Sequence, residues 1–251
     1  TACLWTWDTD LDALTAWASR WKGPISVLVV TQSSPSSPEA TELLIKLQVL
    51  AGLPTVRTKL SAHIIHLEAH TPENPNAFLN LARLFSQTDV VTLFPGNLSV
   101  VPPKILYRSV ASESGSSKPV VFSMRQQATF PFTGFSPAVL NREDPLWCTE
   151  RFFPSISRAA DWTECLWQIW LEHSGNIEVK PTSDWIHDTN PNTNASPLEV
   201  KVRRRLSLKY RGETCVLATR QLAALRSSDG TVDVMKARWL KRHCREWMNG
   251  G

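Results

Sequence analysis

Apolar and polar residues alternate along the first half of the chain in blocks that predict strands separated by helices. Residues 25–30, 89–94 and 119–124 are short apolar runs rich in β-branched side chains, as is typical of strands buried on both faces of a parallel sheet. Between them, residues 39–51 and 76–85 carry apolar side chains at helical spacing. This alternation predicts an α/β fold in which the three runs are neighbouring strands of one mostly parallel sheet.

Two more strands are predicted in this half, at residues 3–7 and 60–67. The first is followed by Asp8, Asp10 and Asp12. Ligands of α/β proteins dock where the parallel strands end, so these carboxylates would face a bound nucleotide. Their charge would repel a diphosphate unless a metal ion lay between them.

The second half of the chain has a weaker pattern. Residues 130–158 are rich in proline and aromatic side chains and show little periodicity. Four elements are predicted in or after this region: a helix at 161–173, a short strand at 183–186, a helix or helix pair interrupted near Gly212 at 198–225, and a last helix at 232–247.

The composition indicates a globular protein and restricts the classes of partner that it is expected to bind. Of the 251 residues, 42% are hydrophobic and 20% are charged, and no apolar run approaches the ~20 residues that cross a bilayer. The net charge is +4, and residues 201–211 contain six basic side chains, which could attract phosphate or could be a solvated helix face. No nucleic-acid-binding module is present, so a nucleic-acid partner is not expected.

Cysteine and histidine spacing does not predict a zinc or catalytic site. The five cysteines form no CxxC pair; an odd number allows at most two disulfides and leaves a free thiol. His63, His66 and His70 lie in or beside a predicted strand, where they cannot converge on one metal ion. Phosphate-loop, dinucleotide, serine-hydrolase and zinc-protease motifs are absent.

Several segments resemble glycosyltransferase family 49, which includes the enzymes that build the glucuronate–xylose polymer on dystroglycan and many fungal members. Their order and spacing agree with the family, and they cover about two thirds of the chain in scattered pieces. The segments are WKGPISV at 21–27, NLARLF at 80–85, TDVVTLF at 88–94, CLWQIW at 165–170, DWIH at 184–187 and the basic helix at 203–215.

The resemblance implies a Rossmann-like type-A glycosyltransferase fold and transfer of a sugar from a nucleotide donor, a UDP-sugar, to a glycan acceptor. It implies one domain over residues 1–251, with a nucleotide-sugar-binding half at 1–125 and an acceptor half at 126–251. It also implies residence in the Golgi lumen behind a type II membrane anchor that this chain lacks. The start without methionine and the glycosylation sequon at Asn97 agree with that location.

The chain departs from the family where the family binds its metal. The family's D-x-D motif, which holds Mn²⁺ against the donor diphosphate, is replaced by Pro95, Gly96 and Asn97, and its H-x-x-H motif by His187 and Asn190. Proline and glycine offer no ligating side chain, so we predict weak manganese binding or none. The resemblance still predicts that this tripeptide forms the donor-binding edge and that His187 is a weak metal ligand. The local sequence alone indicates only that the tripeptide is a turn after a strand.

The catalytic base is not identified. Asp161 and Glu164 lie where the family places acceptor-side residues, although their spacing also predicts a capping box with Asp161 as the N-cap. Two alternatives stay open: a catalytically inactive relative that binds a glycan or a partner, and metal-independent transfer in which cations neutralise the diphosphate. Arg203, Arg204 and Arg205 are the candidate cations if their helix covers the donor cleft.

Overall fold

The computed structural model describes residues 1–113, 118–124, 129–148, 157–182, 185, 196–224 and 233–249. The strands are β1 (Ala2–Trp7), β2 (Ile25–Thr31), β3 (Leu60–His66), β4 (Val90–Leu93), β5 (Val120–Ser123), β6 (Ala138–Asn141) and β7 (Glu178–Pro181). A 3₁₀ segment, Asp8–Ala13, precedes the helices α1 (Leu14–Arg20), α2 (Pro38–Gly52), α3 (Pro75–Leu84), α4 (Lys104–Ala111), α5 (Arg158–Glu172), α6 (Pro197–Ala224) and α7 (Val234–Asn249).

The strands form one sheet in the order β3-β2-β1-β4-β6-β5-β7. Every strand except β6 runs in the same direction, since β6 pairs antiparallel with both β4 and β5. The predicted α/β fold with one mostly parallel sheet is therefore confirmed.

The predicted adjacency of three strands is wrong, although all three belong to the same sheet. β1 lies between β2 and β4, and β6 lies between β4 and β5. The local pattern does not predict β6, because this strand is only four residues long, follows Ser136-Pro137 and has no alternating pattern. It is held in the sheet by pairing with β4 along its whole length, a long-range contact that local pattern does not reveal.

β7 was also missed, and for a similar reason. Glu178–Pro181 is short, largely polar and ends in proline, which suits an edge strand that pairs on one side. The strand predicted at 183–186 lies outside the described residues except for Trp185.

Alternate residues of the strands supply two cores, one on each face of the sheet. Cys3 and Trp5 of β1 point to the face covered by α3 and α5, whereas Leu4 points to the face covered by α1 and α2. The tryptophans are mostly core residues, and six of them are fully or almost fully buried: Trp5, Trp17, Trp21, Trp162, Trp167 and Trp170. Such burial on both faces explains why the central strands read as continuous apolar runs.

Helix α3 buries a polar stripe against the second half of the chain. Asn76, Asn80 and Arg83 are spaced four and three residues apart, so they share one helix face. The Asn76 amide donates to the Asp161 carbonyl at 3.2 Å, and the Asn80 amide donates to the Cys148 carbonyl at 2.8 Å. Hydrogen bonds from α3 thus fix the irregular segment after β6 and the start of α5.

Two disulfides, as many as five cysteines allow, join elements of the second half. Cys148–Cys165 ties the segment after β6 to α5, and Cys215–Cys244 ties α6 to α7. Cys3 is the free thiol, and burial raises its pKa to about 12. The predicted interruption near Gly212 is wrong: α6 is continuous, because its contacts with α5 and α7 outweigh the low helix propensity of one glycine.

Candidate functional site

Successive strands are added on one side of β1 as far as β3, and on the other side of β1 from β4 onward. From β1 the chain builds outward through β2 to β3, and it then returns to place β4 on the other side of β1. The loops after β1 and β4 therefore leave the sheet in different directions at their carboxyl ends. Such switch points open a crevice, which is where α/β proteins of this kind bind ligands.

On the β1 and β2 side of this point lies an open groove of about 550 Å³. The Thr31 hydroxyl donates to a carboxylate oxygen of Asp8 at 2.5 Å and accepts from the Ser33 amide at 3.1 Å, which fixes the groove floor. The groove is lined by Trp7, Asp8, Thr9, Gln32, Ser33, Ser34, Ser37 and Glu39. Its size and its mix of aromatic, hydroxyl and acidic side chains suit a small polar ligand such as a nucleoside.

On the β4 side, Pro95, Gly96 and Asn97 form a turn at the switch point. Pro95 is buried and Asn97 is exposed. The Val100 amide donates to the Asn97 carbonyl at 3.0 Å, closing a turn, and the buried Trp17 indole donates to the Leu98 carbonyl at 2.6 Å. The tripeptide predicted as the donor-binding edge thus lies beside the crevice as a well-anchored turn.

Arg158 reaches the switch point from the face of the sheet that α3 and α5 cover. Its guanidinium donates to the Asn97 side-chain oxygen and, at 3.2 Å, to the Trp5 carbonyl. Its central carbon lies 3.5 Å from the centre of the Trp5 ring. This residue is the first of α5, held there by the Ser157 N-cap, whose hydroxyl accepts from the Ala160 amide at 3.3 Å.

Arg158 carries a positive charge that no described carboxylate pairs directly. Burial lowers its pKa to about 9, while Glu73 and Asp10 oppose that shift from a longer distance. Its Nε atom is buried and has no hydrogen-bond partner among the described residues. The Trp5 face offsets part of the cost of burying the charge. Within the described part of the chain, the guanidinium thus keeps one unused N–H group and has no direct counter-charge.

Sequence reasoning missed Arg158, although one signal was present. Positive charges are unfavourable in the first turn of a helix because the exposed backbone amides there carry partial positive charge. An arginine directly after a serine cap is therefore an unusual placement that invites a functional explanation.

Asp161 and Glu164 lie in α5 rather than at its cap. The capping-box prediction is wrong, since the helix begins at Arg158 and Ser157 is the N-cap. Glu164 is buried between helices: Arg211 of α6 donates to it at 3.0 and 3.2 Å and Ser207 at 2.6 Å. Any catalytic part for either carboxylate stays a prediction.

The other predicted residues divide into three groups. His187 and Asn190 lie outside the described residues, as does the side chain of Arg203. Arg204 and Arg205 are exposed on α6. Because Glu164 meets Ser207 and Gln168 meets Tyr210, α5 and α6 run in the same direction, and these arginines lie level with the first turns of α5.

The three histidines on or near β3 do not form a site. The His63 ring stacks on Phe85 at 4.3 Å, and His66 Nδ1 lies 2.8 Å from the Ser33 carbonyl oxygen. His70 is exposed beyond the strand. Within the described ranges, no group of three or more His, Cys, Asp or Glu residues could hold a metal ion.

The residues at the edge after β4 do not fit a manganese ion. Pro95 and Gly96 have no ligating side chain, and the side-chain oxygen of Asn97 accepts a hydrogen bond from Arg158. A divalent cation bound to that oxygen would lie next to the guanidinium charge and would be repelled by it.

Comparisons with known proteins bear on the fold. No family model and no curated protein sequence matches the chain. Among solved structures, the chain is similar to S. aureus TarS, with a TM-score of 0.51 and 12% identity over 98% of this chain and 42% of the TarS chain. TarS residues 1–349 give a TM-score of 0.48 at 14% identity over 99% of this chain and 72% of that one. Their complex with UDP gives 0.47 at 14% identity over 88% and 70%.

At such low identity the likeness concerns the fold alone. It confirms the predicted type-A glycosyltransferase fold. Membership of family 49 stays a resemblance, and this chain spans less than half of the full TarS chain.

Proposed function

We propose that the chain binds a nucleotide-sugar, a UDP-sugar, at the crevice between β1 and β4 and transfers the sugar to a glycan acceptor. The observation that carries the proposal is the juxtaposition, at the switch point of the sheet, of an open groove with the positive charge of Arg158, which no carboxylate of the described residues pairs. Support comes from the type-A fold and from the resemblance of residues 21–27 and 80–94 to family 49.

The groove and the arginine would hold different parts of the donor. A nucleoside in the groove lies against Trp7 and the polar loop after β2, and its diphosphate extends toward Asn97 and Arg158. In the transfer step, the bond from the anomeric carbon to the diphosphate oxygen breaks, and its electron pair leaves with the diphosphate. The acceptor hydroxyl oxygen bonds to that carbon, and its proton passes to a base that we do not assign.

Location and acceptor belong to the same proposal. Two disulfides are typical of proteins from oxidising compartments, which agrees with residence in the secretory pathway and the Golgi lumen. In the described part of the chain, no helix is long and apolar enough to cross a membrane. The acceptor is a glycan bound by the second half of the chain.

A second candidate function is that of an inactive relative that binds a glycan or a partner. The observation in its favour is that Glu164, one of the two candidate bases, is locked in an ion pair with Arg211 between two helices. Asp161 is also buried, in the first turn of α5.

The test is a titration of UDP and a panel of UDP-sugars by calorimetry, followed by an assay for UDP release with glycan acceptors. Ser34→Trp fills the groove from its exposed rim and should abolish binding. Ser36→Trp, on the same loop but outside the groove, is the matched control and should leave binding unchanged. No binding of any UDP compound at millimolar concentration would refute the proposal, whereas binding without turnover would favour the inactive relative.

A further inference from the structure

The edge that would receive a diphosphate already carries negative charge. Asp8 and Asp10 follow β1 directly, and Glu73 lies within hydrogen-bond distance of the Trp7 indole, at 2.8 Å. A diphosphate brought to this edge needs a compensating positive charge nearby. Type-A glycosyltransferases with a D-x-D motif meet that need with a divalent cation, but no group of three or more Asp, Glu, His or Cys side chains in the described ranges is placed to hold one.

Arg158 provides a positive charge at the same place. It lies against Asn97, the third residue of the tripeptide that replaces D-x-D, and against the last residues of β1 through the Trp5 carbonyl. A guanidinium presents five N–H donors in a plane, and two of them match two phosphate oxygens. Asn97 and Trp5 use only part of this capacity, and the Nε donor remains unused within the described residues.

The placement of Asn97 separates an arginine site from a metal site. In a metal site the Asn97 oxygen would point at the cation as a ligand. Here that oxygen accepts a hydrogen bond from Arg158, so it orients the guanidinium and excludes a second cation. Trp5 fixes the plane of the group from below, with its ring centre 3.5 Å from the guanidinium carbon.

We propose that Arg158, oriented by Asn97 and Trp5, binds the diphosphate of the donor and takes the place of the divalent cation. The inference rests on the proposed function and identifies the positively charged group that would bind the diphosphate. During transfer, Arg158 would stabilise the negative charge that grows on the leaving diphosphate as the bond to the anomeric carbon breaks.

The first experiment is a calorimetric titration of UDP, and of inorganic pyrophosphate, into the protein with EDTA and then with manganese. Both anions should bind in EDTA, and manganese should change the affinities by less than about twofold beyond its own binding to the anions, measured separately. Binding of UDP that requires manganese would overturn the inference while leaving the proposed function in place. Failure of both anions to bind in either condition would overturn both.

Substitutions of Arg158 identify the cation. Arg158→Gln should weaken UDP binding in EDTA by about tenfold or more, the value of one or two charge-assisted hydrogen bonds, and Arg158→Lys should restore part of the loss. Arg220→Gln removes the same charge from an exposed position on α6 and should have no effect. Unchanged affinity in Arg158→Gln, or a loss that follows Arg204→Gln instead, would overturn the inference.

Asn97→Asp gives a test that leaves Arg158 in place. The new carboxylate would pair with the guanidinium and compete with the diphosphate, so UDP binding in EDTA should weaken. If the edge were a metal site, the same change would restore a ligand and strengthen binding in manganese. Manganese-dependent tightening of UDP binding in Asn97→Asp, without weakening in EDTA, would contradict the arginine site.

Discussion

Two arginines, Arg83 and Arg158, differ in how many hydrogen bonds their guanidinium groups donate to the protein. Arg83 of α3 is 1% exposed and donates to four backbone carbonyls, those of Asn141, Arg142, Asp144 and Leu146. Arg158 donates to one carbonyl and one side-chain amide, and its Nε has no described partner.

The difference separates a structural arginine from a binding arginine. The guanidinium of Arg83 is surrounded by the carbonyl oxygens to which it donates, and these bonds hold the segment after β6 against α3. Its N–H groups are therefore not available to a ligand. Arg158 stacks on a tryptophan in the same manner as Arg83, which lies 4.4 Å from the Trp147 ring centre, but it faces a crevice. Arg211 is a third case, because its partner is the buried carboxylate of Glu164.

The largest expected effect is on folding, from Arg83→Met. This change leaves carbonyl oxygens buried without partners and should lower the free energy of unfolding by ~3–5 kcal/mol. Chemical denaturation followed by tryptophan fluorescence measures it. A loss below about 1 kcal/mol would mean that water replaces the guanidinium and that Arg83 does not hold the segment.

Next in size is Glu164→Gln, which removes the carboxylate from Arg211. A broken ion pair between helices should lower the free energy of unfolding by ~2–3 kcal/mol, because the arginine stays largely buried without its counter-charge. UDP affinity of the folded protein should not change, since Glu164 faces α6. A normal fold combined with a large loss of transfer rate would instead support the catalytic part predicted for Glu164 from the sequence.

Arg158→Gln should change the free energy of unfolding little and UDP affinity strongly, the reverse of the effects expected for Arg83→Met and Glu164→Gln. The partners of Arg158 are one carbonyl and an exposed amide, so the free energy of unfolding should change by ~1 kcal/mol or less, while UDP affinity falls. The same denaturation and calorimetry measurements serve for both arginines. If Arg158→Gln destabilised the fold as much as Arg83→Met, the distinction between the two residues would fail.

The sequence predicted the parts of the fold that depend on local pattern. Strands β1 to β5 and helices α2 and α3 follow from apolar runs and helical spacing, with bounds that differ by at most one residue from those observed. β6 and β7 do not follow, because a four-residue strand is defined by its pairing partners rather than by its own sequence. The polar stripe of α3 was likewise hidden, since a periodic pattern records spacing and not burial.

The candidate site was predicted only in part. The turn at residues 95–97 was located from the family resemblance, and its loss of metal ligands is visible in the sequence. The candidate cations predicted from the sequence, Arg203, Arg204 and Arg205, belong to α6, where basic residues are dense. Arg158 is a single arginine 61 residues away from Asn97, and only the packing of α5 against β1 brings the two together.

His173 and Asp144 extend the region that Arg83 holds, and they give it a dependence on pH. His173 Nε2 lies 3.1 Å from an Asp144 oxygen. Burial would lower the pKa of His173, but the bonds to Asp144 and to the Ile169 carbonyl and the charges of Asp144 and Glu172 raise it overall. Burial would raise the pKa of Asp144, but the contacts with His173 lower it overall.

The smallest expected effect is therefore a loss of stability in mild alkali. A raised pKa of His173 stabilises the folded state below its unfolded pKa, and that contribution disappears as the pH rises through the folded pKa. The lowered pKa of Asp144 contributes above its own unfolded pKa and is lost only in acid. The free energy of unfolding should thus fall by ~1 kcal/mol between about pH 5.5 and 8.5, and His173→Gln should remove most of this slope.

His70→Asn, at an exposed histidine beyond β3, is the control, and it should leave the slope unchanged. An unchanged slope in His173→Gln would show that this pair does not couple protonation to the region around Arg83, and would leave the carbonyl contacts of Arg83 as its main support.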